Sequence, residues 1–220
     1  ILIGSSISIE IFKNHPKVTE THILDKRYLS LFLSIRKLGK FDKYFSFRNS
    51  IRSNLYKFFI RSNLKFKYKR SSFQNSHQVD KYNKFITKSL NIDLPIRSLT
   101  IYSGTTLKVA SKEITKNKPS LGINPGASYG SAKRWYPEEF ASVAADLCNQ
   151  YDIFIIGGPN EKLIAMDIEV LLVQKGVTNY QNLAGRTSVA ELIQLISSFD
   201  LFITGDSGPM HLAACYKVPT

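Results

Sequence analysis

Cysteine is scarce in this sequence of 220 residues: Cys148 and Cys215 stand far apart and outside any CxxC pattern. That excludes a disulfide-stapled scaffold and a paired-thiol metal or redox motif. Two such thiols suit a reducing compartment, and Cys148, on the apolar face of an expected helix, reads as packing. Also missing are a DxD-like pair and any His/Cys cluster, so nothing in the chain argues for a metal. No apolar run approaches the ~18 residues that a membrane-spanning helix needs, and residues 1–6 lack the basic start and apolar core of a secretory leader. Negative charge is scarce in one half only. Residues 1–100 hold 20 Lys/Arg against 6 Asp/Glu, whereas residues 101–220 hold 10 against 11. The excess positive charge therefore lies in the first half. Such a surface either attracts phosphates, of a lipid head group or of nucleic acid, or is a solvated face with no specific partner.

With 43% hydrophobic residues, the chain has enough apolar material for a folded core. Its second half has a clear α/β rhythm. A short strand at 120–124 runs into a loop, and a helix starts at Pro137, where Glu138 and Glu139 complement the dipole. Phe140, Val143, Ala144 and Leu147 recur at helical spacing. The near-continuous apolar run at 152–156 suits a parallel strand covered on both faces. It ends in Gly157-Gly158-Pro159 and leads to a helix reaching about Gln174, then to a segment around 177–183 that reads as a strand. Ser188 and Glu191 form a capping box, with Thr187 as the alternative cap, for a helix through Phe199. A last strand at 201–204 enters Gly205-Asp206-Ser207-Gly208, and a helix begins near Pro209. This alternation implies parallel sheets with right-handed crossovers.

The first half repeats the rhythm less cleanly. Strands are expected at 1–4, 21–24, 43–47 and 66–69, and helices at 5–14, 28–38 and 50–60. Tyr82, Phe85, Ile86 and Leu90 mark a further helix. Between about 93 and 119 the pattern blurs, so a boundary is expected there: an N-terminal domain at 1–105, a linker at 106–118 and a C-terminal domain at 119–220. The chain opens inside an expected strand without an initiator Met and closes where another strand would begin, which reads as a fragment cut at both ends.

Two loops carry chemistry, and both join the end of a strand to the start of a helix, where open α/β sheets bind ligands. In the first, at 124–135, glycines let backbone N–H groups approach an anion. Ser128 and Ser131 add hydroxyls, and Lys133 and Arg134 add charge. The order GxxxxGK[ST] is absent, so this is not a Walker loop. In the second, Gly-Asp-Ser-Gly feeds a helix whose free N–H groups favour an anion. Ser207 either caps that helix or donates to a phosphate. Asp206 suits sugar hydroxyls better than phosphate, because like charges repel. His211 reads as a helix-start hydrogen-bonding partner or a catalyst. The elbow GxSxG of serine hydrolases is not met.

The segments GASYGSAKRW (126–135), GGPNE (157–161), NLAG (182–185) and residues 204–214 together closely resemble the bacterial ADP-heptose:lipopolysaccharide heptosyltransferases, glycosyltransferase family 9. AKRW followed by GDSGPMH is most similar to the members that add the second heptose of the inner core. The motif match covers about 120–220. Residues 1–100 fit only in outline, through HPKV (15–18), Phe41-Asp42 and HQVDKY (77–82). The resemblance implies a GT-B architecture of two Rossmann-like domains with parallel sheets, both incomplete here, with the donor held by the C-terminal one. It implies inverting, metal-independent transfer with no cofactor beyond the donor ADP-heptose. Carried over by position, Ser128 and Tyr129 match contacts to the donor diphosphate. Lys133 matches the lysine that neutralises the leaving phosphate, Glu161 an acid near the ribose, and Thr187 a position where adenosine packs. Asp206 matches the residue holding heptose hydroxyls, Ser207 and Gly208 the donors to phosphate, and His211 a residue lining the same loop. Lys133 and Asp206 are the expected catalytic pair.

The family's general base, an aspartate in a GD motif after the first strand, is expected upstream of Ile1, so the 220 residues alone are not expected to turn over. The implied partners are the nucleotide sugar and a phosphorylated lipopolysaccharide core at a membrane surface, not nucleic acid. The implied location is cytoplasmic, peripheral on the inner face of the inner membrane, with the basic first half toward the acceptor. The rival readings are another GT-B sugar-nucleotide transferase or a heptosyltransferase of type I or III, a basic nucleic-acid-binding module, and an inactive homologue.

Overall fold

The computed structural model describes residues 1–24, 27–72, 76–95, 99–102, 118–126 and 135–220. They form two compact units. One joins Ile1–His22 to Leu99–Thr220, and the other is Ile23–Ser98. The first 22 residues therefore belong with the C-terminal sheet, and residues 106–117 of the expected linker lie outside the described residues.

In the first unit, β1 (Leu2–Gly4) leads to α1 (Ser6–Phe12), capped by the Ser5 hydroxyl, which accepts from the Ser8 N–H; β1 pairs with β2 (Thr21–Ile23). The main sheet comprises β5 (Ser120–Asn124), β6 (Asp152–Ile155), β7 (Tyr180–Asn182) and β8 (Leu201–Thr204). Its order is β7-β6-β5-β8, and all three pairings are parallel. The chain thus winds one way from β5 to β7, then returns to place β8 on the other side of β5. That reversal is a topological switch point, where open α/β sheets bind their ligands.

Strand alternation divides the core. Leu121, Ile123, Ile153 and Ile155 face α5 (Pro137–Leu147) and α6 (Lys162–Gln174), meeting Phe140, Ala141, Ala144, Ala165, Ile168 and Leu172. Phe154, Ile156 and Phe202 face α7 (Val189–Ser197) and α8 (Gly208–Tyr216) with Ile193, Ile196 and Leu212. Gly122, in the centre of the sheet, is required by packing: an added Cβ would lie 2.8 Å from the Phe202 ring and closer still to that of Phe199. Ile11 of α1 and Ile101 pack against this second cluster.

The second unit holds α2 (Tyr28–Lys37), β3 (Phe41–Ser46), α3 (Ile51–Phe59), β4 (Ser62–Lys67) and α4 (Gln78–Leu90), with β3 and β4 parallel. β4 begins four residues before the strand expected at 66–69. In Ser62-Asn63-Leu64-Lys65 Leu64 is the one apolar residue, and Asn63 and Leu64 are exposed, so no apolar run announces the strand. Pairing with β3 from Phe41↔Ser62 onward defines it instead. Phe45, Phe66, Tyr68 and Phe85 form an aromatic core, with the Phe45 and Phe66 rings stacked at 5.0 Å. Among the described residues, no helix is long and apolar enough to cross a membrane.

Candidate active site

The loops that follow β5 and β8 leave one edge of the sheet side by side, because the two strands pair in parallel with Asn124 opposite Thr204. Had these corners lain at opposite edges, they could not share a ligand. Asn124 joins them. Its strand parity points it to the α7/α8 face, where it is 3% exposed. Its amide lies 3.3 Å from the Gly126 carbonyl, 3.1 Å from Thr204 Oγ1 and 3.2 Å from Ser207 Oγ. Thr204 Oγ1 also donates to the Gly205 carbonyl at 3.1 Å and lies 3.3 Å from Ser207 Oγ.

This network engages Ser207 in place of a helix cap. It stands at the N-cap position of α8 in extended conformation, yet its side chain makes no cap bond. The hydroxyl instead accepts from Asn124, which leaves the first N–H groups of α8 without a side-chain cap from Ser207. Gly208 opens the helix, is exposed, and has nothing within 4 Å of where a Cβ would stand. Among the described residues no packing requires a glycine there, and its bare backbone leaves room for close approach of an outside group. Asp206 and His211 flank the corner and are exposed.

Glu161 occupies the neighbouring corner, at the end of a 3-10 turn (Pro159–Glu161) after β6. Its side chain lies across three glycines. A Cβ at Gly126 would collide with its Cγ, one at Gly157 would lie 2.7 Å from its Cβ, and one at Gly158 would lie 2.9 Å from its Oε2. The glycines of two adjacent loops thus form a cradle that holds this carboxylate at the sheet edge. Thr187 lies in the β7–α7 connection. The cap of α7 is Ser188, with both halves of the box formed: Ser188 N–H donates to Glu191 at 2.7 Å, and Glu191 N–H to Ser188 at 3.2 Å. Donation to its carboxylate by the Ser188 N–H, and then by the Ser188 hydroxyl, holds the Glu191 carboxyl below its usual range. Thr187 is therefore left outside the helix and half-buried.

Glu161, Thr187, Asp206, Ser207, Gly208 and His211 all follow the carboxyl ends of their strands on one sheet edge. Ser128, Tyr129 and Lys133 lie outside the described residues. Sequence reasoning missed two features here, the Asn124 linkage and the glycine cradle. The one available signal for the first is a polar amide closing an otherwise apolar strand, SLGIN.

The architecture is that of GT-B glycosyltransferases. A family 9 glycosyltransferase structure from Veillonella parvula superposes with a TM-score of 0.85 at 21% identity, over 99% of this chain and 69% of that one. The structure of Escherichia coli ADP-heptose LPS heptosyltransferase II gives 0.74 at 21% identity, over 97% and 72%. Within that class the sequence is more specific. Residues 45–220 match the model of glycosyltransferase family 9 (heptosyltransferase). The lipooligosaccharide heptosyltransferase 2 of Campylobacter jejuni serotype O:2 is 38% identical across the whole of this chain, which spans 69% of that protein. The chain belongs to glycosyltransferase family 9 and is a transferase of that family.

Proposed function

We propose that this protein transfers heptose from ADP-L-glycero-D-manno-heptose to the inner core of lipopolysaccharide, adding the second heptose, with inversion and without a metal. The carrying observation is the pair of strand-to-helix corners after β5 and β8, adjacent at the switch point and tied through Asn124. A diphosphate held there meets the first amides of α8, at Ser207 and Gly208, which carry no side-chain cap from Ser207, and the helix dipole there favours negative charge. As the acceptor hydroxyl attacks the anomeric carbon and passes its proton to the aspartate base expected from the family, the bond to the diphosphate breaks and charge grows on the departing ADP. Donors already aimed at that charge lower the barrier. In this reading Lys133 neutralises the leaving phosphate, and Ser128 and Tyr129 contact the diphosphate. Asp206 holds heptose hydroxyls, Glu161 takes the ribose, Thr187 borders the adenosine and His211 lines the loop. The choice of the second heptose is supported by the similarity, over all of this chain and 69% of that protein, to the Campylobacter lipooligosaccharide heptosyltransferase 2. The acceptor is a phosphorylated glycolipid, so the reading places the enzyme on the cytoplasmic face of the inner membrane.

Equilibrium titration with ADP-heptose, UDP-sugars and GDP-sugars tests the donor. ADP-heptose should bind in clear preference, and Lys133→Ala should weaken it; equal affinity for all three nucleotides sinks the assignment. Mass analysis of a core carrying one heptose, incubated with donor and with enzyme that includes the segment expected to carry the aspartate base, tests the acceptor, and a chelator should leave the rate unchanged.

A further inference from the structure

Residues 43–79 contain no acidic side chain and nine Lys/Arg. In the middle of this stretch lies α3, which is apolar on two sides. One side is its packed face, with Tyr56 3% exposed and Ile60, just past its end, also 3%. The other carries Ile51, Leu55 and Phe58 at i, i+4 and i+7, one stripe along the helix. Ile51 is 73% exposed and Phe58 77%, with Leu55 half-buried between them. Two exposed large side chains on one stripe are costly in water unless something covers them.

Basic groups frame the stripe. Arg52 and Lys57 flank it on the helix itself, and Arg48 and Arg61 stand just beyond its two ends. Lys65 reaches from β4 to donate to the Phe58 carbonyl at 3.3 Å, and Lys67 reaches Asn54 on the same helix. An apolar ridge in a cationic frame, with no carboxylate in the surrounding stretch, complements a surface that is anionic outside and hydrocarbon within. Nucleic acid would match the charge but not the ridge, because Ile51 and Leu55 offer no flat face for a base. A protein partner would need an acidic rim around an apolar groove, and nothing in the structure calls for that over a bilayer.

We infer that α3 is an interfacial helix, with Ile51, Leu55 and Phe58 entering the boundary between head groups and acyl chains of an anionic bilayer. Arg48, Arg52, Lys57, Arg61 and Lys65 then meet head-group phosphates. The helix lies on the membrane and does not span it. The inference rests on the surface of Ile23–Ser98 alone and does not depend on the transfer reaction.

Co-sedimentation with vesicles of phosphatidylcholine and phosphatidylglycerol, against phosphatidylcholine alone, tests it. The protein should partition onto the anionic vesicles. Ile51→Ser with Phe58→Ser should lower partition about tenfold at every salt concentration without changing the salt slope. Arg52→Gln with Lys57→Gln should instead flatten the slope. Because the replaced apolar side chains are largely exposed, circular dichroism and melting temperature should stay at the parental values. In a second variant, Phe58→Trp emission should shift to the blue on anionic vesicles. Parental partition by the Ile51/Phe58 variant, an unmoved Trp emission, or generic RNA displacing the vesicles regardless of Ile51 and Phe58 would each overturn it. Transfer to a delipidated soluble acceptor, measured in parallel with enzyme that includes the expected aspartate base, reports on the proposed function alone and should not respond to the Ile51 and Phe58 substitutions.

Discussion

A primary amide carries two hydrogens, and Asn124 has three oxygens within reach, from Gly126, Thr204 and Ser207. Removing it leaves buried acceptors unpaired, which costs about 1–3 kcal/mol. Asn124→Ala should therefore lower the melting temperature and weaken ADP binding by roughly tenfold, since Ser207 and the start of α8 lose their tether. Asn124→Asp separates the two effects. The Thr204 and Ser207 hydroxyls can turn to donate to a carboxylate, so stability should recover in part, while the added negative charge beside a diphosphate should weaken ADP further. If Asp binds ADP better than Ala does, Asn124 does not border the anion site. The glycine cradle makes a companion test. Gly126→Ala should drive Glu161 from its seat, with a cost in donor affinity that Glu161→Ala matches. At this scale the sequence was legible in part. The Gly-Asp-Ser-Gly corner declares itself through residue types alone. The tasks of Asn124 and Glu161 depend on strand parity and on which loop lies beside which, and local spacing does not encode either. Ser207 shows the same limit: a serine before a helix is a normal cap, and only the neighbouring strand reveals a competing donor.

Elements were easier to read, because periodicity and caps are local. The capping box at Ser188 and Glu191 forms as its sequence pattern implies, and Pro137 with two following glutamates opens α5. β4 was harder, because a strand that mixes polar residues with an exposed leucine has no apolar run to mark it. Ser188→Ala should cost roughly 0.5–2 kcal/mol in urea unfolding at neutral pH. Acid should erase part of that difference. The Glu191 carboxyl is held low in the folded chain by its bonds to Ser188, so its contribution is present above the unfolded-state value and is lost as pH falls through the folded one. Unfolding at about pH 7 and about pH 3 should therefore show a smaller gap between parent and Glu191→Gln in acid. A gap that stays constant means that the box contributes nothing through its charge. Gly122→Ala belongs here too, because the central strand admits no side chain against Phe199 and Phe202. It should destabilise by about 1–3 kcal/mol.

At the scale of the molecule, alternation of strands and helices was enough to anticipate parallel sheets. The membership of the units was not, since Ile1–His22 joins the C-terminal sheet through α1 and the cluster around Phe199 and Ile196. Contacts so distant in sequence leave no composition shift to read. The placement of the site on one sheet edge gives the last prediction. A ligand that binds only the folded state stabilises it by RT ln(1 + [L]/Kd), about 2.7 kcal/mol at a hundredfold excess over Kd, worth roughly 5–10 °C in a protein of this size. ADP should produce such a shift and UDP a smaller one. The gain must come from amides the nucleotide covers, so hydrogen exchange should slow in the first turn of α8 and in the Gly157-Gly158 turn. The opposite edge, where Ser120 N–H bonds Asp200 at 2.7 Å and the Lys118 N–H bonds Asp152 at 3.3 Å, should keep its rates apart from the uniform slowing that added global stability brings. Protection centred on that opposite edge would place the nucleotide away from the switch point, and with it the whole reading of the corners after β5 and β8 would fall.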